Sequence, residues 1–399
     1  MTCQDIFVKK FRTIAIYSQC LHGVGHYVRA CSIAAALCTH ADIILINAGR
    51  AVTEPQPPKG ARLLDLPGIF RNSDTGALHS ELALNTLDAT LGLRRRVLET
   101  QLSRQRVDLL LIEYFPFQRW EFASEIFFLI GLMKDANPDI RICCSVRDLP
   151  RPFETEQERR RIVDTLNDTF SHLFVHADPA VGTSVDAFSL LKDVVIPVTY
   201  TGYITASWRD RHESDLSGSD LERFRGSVIV SAGGGMDSYN MLATCIDTWE
   251  ELQREGFDNR LMVLCLGAFL PQEQVDVLLT KVQRTPNIRA FRFPSTFRQL
   301  LSVADLSISC AGYNTCVDVM QARIRAIFIP SLSVSDQKRR AIRLQELGFG
   351  LAMSARTLQV ADLKRAILDS LEGARPEVSL SLAGAECMKA CVKRMFVTE

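Results

Sequence analysis

The stretch that most constrains the fold runs from Leu306 to Pro330 and reads LSISCAGYNTCVDVMQARIRAIFIP. Short apolar strands are predicted at Leu306 to Ser309 and at Ala326 to Ile329, with a turn at Ala311-Gly312 and a helical run from Asn314 to Gln321 between them. This order is one βαβ step, which sets a helix N-terminus at the carboxyl edge of a parallel sheet. Backbone N–H groups and the helix dipole at such a place can hold an anion, for example a diphosphate.

The same order of strand, glycine loop and helix opens each half of the chain. Thr13 to Ser18 is a predicted strand that leads into the loop Gly23 to His26. In the second half Ser227 to Ser231 leads into the three glycines Gly233 to Gly235. Glycine lets the backbone turn sharply and approach a phosphate closely, although a plain tight turn is the alternative. We therefore expect two similarly organised α/β halves.

Several predicted strands of the first half end in polar side chains. Val107 to Ile112 is almost entirely apolar, which is typical of a buried parallel strand, and it ends at Glu113. Two later strands end near Arg147-Asp148 and near His176 and Asp178. We interpret Arg147-Asp148 as a structural salt bridge, and His176 and Asp178 as loop hydrogen bonding, because two such residues without further ligands make a weak metal site.

Composition narrows the function classes. The 399 residues exceed what one core usually serves, so two domains are expected. Lys+Arg and Asp+Glu both number 46, which gives no bulk attraction to nucleic acid or acidic lipid. The 12 cysteines are scattered and form no CxxC pair, which favours buried free thiols in a reducing cytoplasm. We see no signal peptide and no apolar run long enough to span a membrane, so the expected location is cytoplasmic.

The predicted domain plan has four parts. Residues 1–205 form an N-terminal α/β domain, and a polar stretch at 206–222 is the linker. Residues 223–375 form a C-terminal α/β domain, and 376–399 form a helix that packs back across the domains. The basic runs 94–96, 159–161 and 338–340 are interpreted as solvated helix faces, with peripheral membrane contact as the lesser alternative.

A group of motifs, in this order and spacing, resembles one enzyme family, the MurG-like GT-B glycosyltransferases, and within it the bacterial predicted glycosyltransferases with a family 28 C-terminal-like domain. The motifs are Gly23-Val24-Gly25-His26-Tyr27-Val28-Arg29, Glu113-Tyr114-Phe115-Pro116-Phe117, Ser145-Val146-Arg147-Asp148, Val175-His176-Ala177-Asp178-Pro179, Thr201-Gly202-Tyr203, Gly233-Gly234-Gly235, Ala311-Gly312-Tyr313-Asn314-Thr315 with Asp318, and Asp336-Gln337 before Leu344-Gln345-Glu346-Leu347-Gly348. The resemblance covers residues 13 to about 350. It implies the GT-B fold, two Rossmann-like parallel-sheet domains that face a cleft. By the same resemblance, the acceptor would be bound by the N-terminal domain, 1–205, and the nucleotide sugar by the C-terminal domain, 223–375.

The resemblance also implies roles for individual residues around a nucleotide-sugar donor. Gly234 and Gly235 would lie beside the diphosphate, Asp318 would hold the ribose and Gln337 would contact the sugar. The aromatic pair Phe293 and Phe297 would flank the nucleobase. The full expected donor-binding set is Gly25, Gly234, Gly235, Phe293, Phe297, Gly312, Asn314, Thr315, Asp318, Asp336 and Gln337.

Two departures from the MurG pattern affect the donor assignment. Asp318 stands where that pattern has Glu, and the shorter carboxylate can still bind a diol. The backbone position expected to read uracil is near Pro294, which lacks an N–H donor. Uridine is the first expectation for the base, and thymidine and guanosine stay open.

Two residues are candidates for the catalytic base. His26 follows the glycine turn near a helix start, where the dipole would keep its pKa low and its imidazole neutral; capping the loop is its alternative role. Glu113, at the end of a strand, is the rival base, or else a buried structural carboxylate. Arg29 would orient a phosphate or Glu113, or lie on the helix surface. We expect no metal and no obligatory cofactor, because no DxD-like pair follows a strand where a metal-dependent enzyme needs one.

These expectations combine into one reaction. The chain is expected to move a sugar from a nucleotide diphosphate sugar to an unidentified small-molecule or lipid-linked acceptor, by direct inverting displacement. One alternative is a nucleotide-sugar hydrolase of the pseudaminic-acid-pathway type, which the Gly-x-Gly-His-x-x-Arg run also resembles. A second alternative is a non-catalytic sugar-nucleotide-binding or scaffold protein. No nucleic-acid partner and no membrane span are expected.

Overall fold

The computed structural model describes residues 12–21, 24–52, 56–72, 75–83, 86–182, 186–205, 218–234, 237–257, 259–292, 294, 296–332, 334–377 and 379–397. The chain divides into two compact units. The first is Met1–Ile204 with Ala383–Glu399, and the second is Thr205–Leu382. Most of the predicted linker, 206–217, lies outside the described residues, and 218–222 is a short helix.

The first unit alternates strands with helices. Its elements are β1 (Thr13–Ser18), α1 (Gly25–Leu37), β2 (Asp42–Asn47), β3 (Ala61–Asp65), β4 (Ile69–Arg71), β5 (Leu78–Ser80), α2 (Leu87–Leu102), β6 (Leu109–Glu113), α3 (Ala123–Ala136), β7 (Arg141–Arg147), α4 (Glu156–Thr169), β8 (His172–His176), α5 (Pro179–Gly182) and β9 (Val198–Tyr200), with 3-10 turns at Trp120–Phe122 and Asp186–Asp193. The helices α2 and α4 begin where Thr86 and Thr155 accept hydrogen bonds from the backbone N–H groups of Ala89 and Glu158.

The sheet of the first unit has the strand order β3-β2-β1-β6-β7-β8-β9 within the described residues, and every neighbouring pair is parallel. The five residues of β6 are all buried, because helices cover both faces of a parallel sheet. β4 and β5 form a separate antiparallel hairpin. Neither this hairpin nor the edge strands β3 and β9 is expected from the sequence patterns.

The second unit repeats the alternation. Its elements are α6 (Gly218–Glu222), β10 (Val228–Ser231), α7 (Tyr239–Arg254), β11 (Met262–Cys265), α8 (Gln272–Arg284), β12 (Ile288–Phe291), α9 (Phe297–Val303), β13 (Leu306–Ser309), α10 (Tyr313–Ala322), β14 (Arg325–Phe328), α11 (Ser335–Glu346), β15 (Leu351–Ala352) and α12 (Val360–Glu372). The strand order across its described part is β12-β11-β10-β13-β14-β15, again parallel throughout.

The end of α11 shows how one glycine stops a helix. Gly348 has a φ of 75°, and its N–H group donates to the carbonyl of Gln345. The N–H group of Phe349 donates to the carbonyl of Leu344, which completes a Schellman motif. The sequence predicts that the helix stops at Gly348 as its C′ residue, and the structure confirms this prediction.

The last helix, α13 (Gly384–Val397), belongs to the first unit and packs against α1. Gly384 lies against the backbone of Gly202 and Tyr203, where an added Cβ would stand 2.6 Å from either carbonyl oxygen. A side chain does not fit there, so glycine is required at the start of α13. Across the described ranges, no helix is both long and apolar enough to cross a membrane.

Two buried arginines correct the interpretation of the basic runs as solvated faces. Arg94 of α2 is fully buried and donates to both carboxylate oxygens of Glu125, at 2.7 Å each, and to the carbonyls of Ala48 and Pro67. Arg340 of α11 is also fully buried. A buried guanidinium needs partners for its five N–H groups. The partners of Arg94 are all distant in sequence, and Arg340 pairs with Asp336 one helical turn away and with the distant carbonyl of Ala311, so the local pattern did not indicate burial.

Candidate functional site

Each sheet has one place where the direction of its connections reverses. From β1 the chain proceeds outward to β2 and β3, and from β6 it proceeds the other way, so β1 and β6 flank the first switch point. In the second unit the corresponding pair is β10 and β13, which flank the second switch point. Ligand sites of open parallel sheets form at the carboxyl ends of such strand pairs. The sequence motifs fall at these two places.

The first switch point joins the two rival candidates for the base. Nδ1 of His26, the second residue of α1, lies 2.7 Å from Oε2 of Glu113 at the end of β6. Arg29, one helical turn further along α1, forms an ion pair with the same carboxylate. Its Nη2 atom is also 3.2 Å from Nδ1 of His26. The three side chains form one cluster, although Glu113 is 87 residues from His26 in sequence.

Burial separates the roles open to His26 and Glu113. The side chains of Arg29 and Glu113 are 1% and 2% exposed, whereas that of His26 is 12% exposed. Nδ1 cannot both donate to Glu113 and accept from Arg29. Because the contact with Glu113 is shorter and charge-assisted, we assign a proton to Nδ1, which donates it in the hydrogen bond to the Glu113 carboxylate. That tautomer makes Nε2 the basic nitrogen. A proton taken from outside the cluster would therefore go to His26, while Glu113 orients the ring.

Tyr114 supports this cluster and was not singled out from the sequence. Its φ is 71°, a backbone conformation that is unusual for a residue with a side chain. The ring of Tyr114 meets that of His26 edge-on at 5.3 Å, and the guanidinium of Arg147 lies 5.0 Å from the Tyr114 ring centroid. Its sequence signals are its position directly after Glu113, at the end of a buried strand, and its place in the motif Glu113 to Phe117.

His176 is a structural residue close to the same edge. It is fully buried, with Nε2 at 2.8 Å from Ser145 Oγ and Nδ1 at 2.9 Å from Thr201 Oγ1. Burial, with a contribution from the charge of Arg29, holds the pKa of His176 well below its ordinary value. A neutral histidine between two hydroxyls confirms the expectation of hydrogen bonding. Asp178 likewise accepts from the N–H group of Ala180.

The second switch point is lined by backbone. Gly233 follows β10 with a φ of 59°, and the carbonyl of Gly234 accepts a hydrogen bond from the N–H group of Phe269 after β11. Gly312 is the N-cap of α10, and a Cβ added to it would meet nothing within 4 Å. Asn314 and Thr315 lie in the first turn of α10, which contains no acidic residue. Open space beside a helix N-terminus is suited to an anion.

The predicted donor-contacting side chains are engaged in contacts within the unit. Asp318 is 8% exposed, and its Oδ1 atom lies 3.3 Å from Nε of Arg298. Asp336 is 6% exposed and accepts from Arg340 at 2.9 Å. These pairs give each carboxylate a fixed orientation. Arg298 and Arg340 are both absent from the predicted set of site residues.

For the other predicted donor-binding residues, the structure gives few side-chain contacts. The side-chain oxygen of Gln337 accepts from the N–H group of Ser331 at 2.9 Å. Phe297 is the first residue of α9 and is half-buried, and Gly25 is the first residue of α1. Gly235 and Phe293 lie outside the described residues. Throughout the part of the chain that the structure describes, no three His, Cys, Asp or Glu side chains cluster as metal ligands would.

A family model matches most of the second unit and the start of α13. The model of the glycosyltransferase family 28 C-terminal domain matches residues 228–386. The chain is accordingly an enzyme of the glycosyltransferase type. The search of curated proteins found no match to this sequence.

Solved structures extend the likeness to the whole length. Os79 from O. sativa, in complex with U2F and trichothecene, has a TM-score of 0.62 at 13% identity, over 96% of this chain and 94% of that chain. UGT2 of Phytolacca americana, complexed with UDP-2fluoro-glucose and pterostilbene, has a TM-score of 0.59 at 15% identity, over 96% and 94%. MurG of Acinetobacter baumannii has a TM-score of 0.51 at 15% identity, over 95% and 94%. These matches establish the fold class as GT-B.

Proposed function

We propose that the chain transfers a sugar from a nucleotide diphosphate sugar to an acceptor hydroxyl, with inversion at the anomeric carbon and without an obligatory metal. The family 28 C-terminal domain supports glycosyl transfer. A UDP-sugar is the favoured donor, because the Phytolacca structure contains UDP-2fluoro-glucose. The similar structures contain second bound molecules as different as pterostilbene and trichothecene, so no acceptor class is carried over from them. A small-molecule or lipid-linked acceptor, in the cytoplasm, is the proposed setting.

The observation that carries the mechanism is the hydrogen bond from Nδ1 of His26 to Glu113. In the proposed reaction Nε2 of His26 takes the proton of the acceptor hydroxyl as its oxygen bonds to the anomeric carbon. The bond from that carbon to the diphosphate breaks, and the nucleotide diphosphate leaves with the electron pair. General-base catalysis of this kind contributes about 10²- to 10⁴-fold. Glu113, paired with Arg29, holds the imidazole in the required tautomer.

Donor binding is assigned to the second unit. The N–H groups at the start of α10 and the loop at Gly233-Gly234 would face the diphosphate, where a helix dipole stabilises the charge of the leaving group. Asp318 would accept hydrogen bonds from the ribose while Arg298 fixes its carboxylate. Gln337 and Asp336 are the proposed contacts to the sugar.

The test has two stages that use the full chain. A thermal-shift screen of UDP-, TDP- and GDP-sugars identifies the donor, because a ligand at 100 times its Kd stabilises the folded state by about 2.7 kcal/mol. The donor is then incubated with and without a panel of acceptors, and nucleotide diphosphate and sugar products are measured. We expect nucleotide diphosphate release only with an acceptor. Equal release of free sugar in water alone would identify a hydrolase, and binding without any release would identify a scaffold.

A further inference from the structure

The buried Arg340 connects helix α11 to the loop before α10. Its Nη1 group donates to the carbonyl oxygen of Ala311 at 2.8 Å, and its Nη2 group donates to Oδ2 of Asp336 at 2.9 Å. The side chain is 0% exposed. A guanidinium carries its N–H groups in a rigid plane, so one side chain can bridge two fixed acceptors. Arg340 therefore fixes the Ala311 carbonyl relative to α11.

The carbonyl that Arg340 holds belongs to an unusual residue. Ala311 is fully buried and has a φ of 59°, in the left-handed region that residues with a Cβ rarely adopt. Such a conformation persists when the surrounding structure holds it in place. Ala311 directly precedes Gly312, the N-cap of α10. Its conformation therefore determines where the first N–H groups of α10 point.

Arg340 also contacts the chain on the far side of Gly312. Its guanidinium carbon lies 5.8 Å from the ring centroid of Tyr313, which is 4% exposed. The same side chain thus bonds the residue before the N-cap and lies over the ring of the residue after it. Because Asp336 neutralises the charge of Arg340, the main effect of the arginine on this turn is geometric rather than a long-range field.

We propose that Arg340 is a positioning residue for the donor diphosphate. It holds the Ala311 turn so that the N–H groups at the start of α10 are already oriented to bind phosphate oxygens. Preorganised donors bind more tightly because no ordering cost is left for the binding step. The inference rests on the proposed function, since it takes a nucleoside diphosphate as the ligand of this turn.

The test compares Arg340→Met with Arg343→Met. Arg343 lies on the same helix and pairs with Glu346 in a partly exposed contact, so Arg343→Met makes the same chemical change at a different ion pair. Two quantities are measured on each full-length variant. The first is the Kd of UDP and of uridine by calorimetry, and the second is amide hydrogen exchange in peptides that cover residues 311–316.

We expect Arg340→Met to weaken UDP binding by about tenfold, the loss expected when one hydrogen bond of a site is misplaced. Uridine lacks the diphosphate, so its affinity should stay within about twofold of that of the wild type. Exchange at 311–316 should become faster, since the turn loses its tether. Arg343→Met should change neither quantity, and Arg340→Lys, which keeps a charge and donors, should restore part of the UDP affinity.

Other outcomes are equally decisive. Unchanged UDP affinity and unchanged exchange in Arg340→Met would overturn the inference, and so would an equal loss for UDP and uridine. If the wild type binds none of UDP, TDP and GDP, the proposed donor is contradicted, and exchange at 311–316 alone then decides whether Arg340 holds the turn. Should Arg340→Met not fold, the double variant Asp336→Asn/Arg340→Met removes both buried charges, and the same measurements and outcomes apply to it.

Discussion

At the first switch point the chain places His26 against Glu113, whereas the second is flanked by the Gly233-Gly234 loop after β10 and by the start of α10 at Gly312. The backbone plan is the same in both units: a parallel sheet, a reversal of strand order, and a helix that begins at the carboxyl edge. The side chains differ. At the first edge His26 and Glu113 contact each other directly, whereas the glycines and backbone N–H groups of the second edge are accompanied by carboxylates paired with arginines, Asp318 with Arg298 and Asp336 with Arg340.

This difference shows how one topology can support two kinds of chemistry. A helix N-terminus favours an anion, and near the start of α1 that anion is Glu113, supplied by the protein itself. An incoming phosphate there would meet a carboxylate. The first turns of α1 and α10 themselves hold no acidic residue, and the space beside Gly312 at the start of α10 is open. We therefore expect the start of α10 to accept an anion from a ligand. The comparison predicts proton transfer at the first edge and anion binding at the second.

The largest expected effect is that of His26→Ala on turnover. Loss of the base should lower kcat by about 10²- to 10⁴-fold and leave the affinity for the donor nucleotide unchanged. Steady-state rates, with the donor and acceptor found by the screen, measure this. His172→Ala is the matched control. His172 is the first residue of β8, so it lies at the amino ends of the strands, away from the carboxyl ends where His26 lies, and it contacts Thr199. A His26→Ala variant with near-normal kcat would remove the base assignment.

The next largest effect is on the free energy of unfolding. It is compared between two variants, each of which disrupts the ion pair at one switch point. Glu113→Gln should lower the free energy of unfolding by about 3 to 5 kcal/mol, because Arg29 stays buried without a counter-charge. Asp318→Asn, beside the more exposed Arg298, should cost about 1 to 3 kcal/mol. Urea unfolding of both variants gives the two values. An equal or larger cost for Asp318→Asn would show that the first cluster is not the more deeply buried charge site.

A smaller effect follows from Gly312→Asp. Its φ of −63° suits any residue, and the space beside it is open, so the substitution fits. Asp is a good N-cap, and the variant should gain a few tenths of a kcal/mol in folding stability. The same charge should repel a diphosphate and weaken UDP binding by about 10- to 100-fold. Gly312→Asn is the uncharged control, and a Gly312→Asp protein that binds UDP as tightly as Gly312→Asn would contradict an anion site at α10.

The smallest effect is acid sensitivity of the first unit. The pKa of His176 is held well below its ordinary value of 6.5, so below about pH 6.5 the unfolded chain binds a proton that the native state does not. Stability therefore rises with pH, and it falls by up to about 1.4 kcal/mol per pH unit as pH drops below that value. His172, whose pKa burial also lowers, contributes with the same sign. The described residues of the second unit include no histidine.

Urea unfolding between about pH 5 and pH 7 checks this sign. His176→Gln should flatten the profile, because the glutamine does not titrate. A wild-type protein that becomes more stable as pH falls through this window, or a variant with the same slope as the wild type, would contradict a neutral buried His176.

The sequence predicted those parts of the fold in which local pattern and final structure agree. The strand Leu306 to Ser309 is correct to the residue, and the helix expected at Asn314 to Gln321 extends by one residue at each end. The hairpin β4–β5 was missed because strands of three residues show no periodicity. Sequence reasoning works where spacing repeats and fails where pairing alone defines the element.

The sequence predicted which residues lie at the ends of individual strands, but not which of these residues contact one another. Both His26 and Glu113 were selected because each follows a strand, but they were taken as rivals, and their contact depends on the adjacency of β1 and β6. Arg340 was taken for a surface residue, since its acceptor, the Ala311 carbonyl, lies 29 residues away. A buried charge has no local signature when its partners come from another part of the chain.

The most direct test of the division between the two edges is a UDP titration of His26→Ala and Gly312→Asp in parallel, by calorimetry on the full chain. The account predicts that His26→Ala binds UDP with the wild-type Kd, whereas Gly312→Asp binds it about 10- to 100-fold more weakly. The opposite pattern, with UDP affinity lost in His26→Ala and kept in Gly312→Asp, would contradict the assignment of proton transfer to the first switch point and of anion binding to the second.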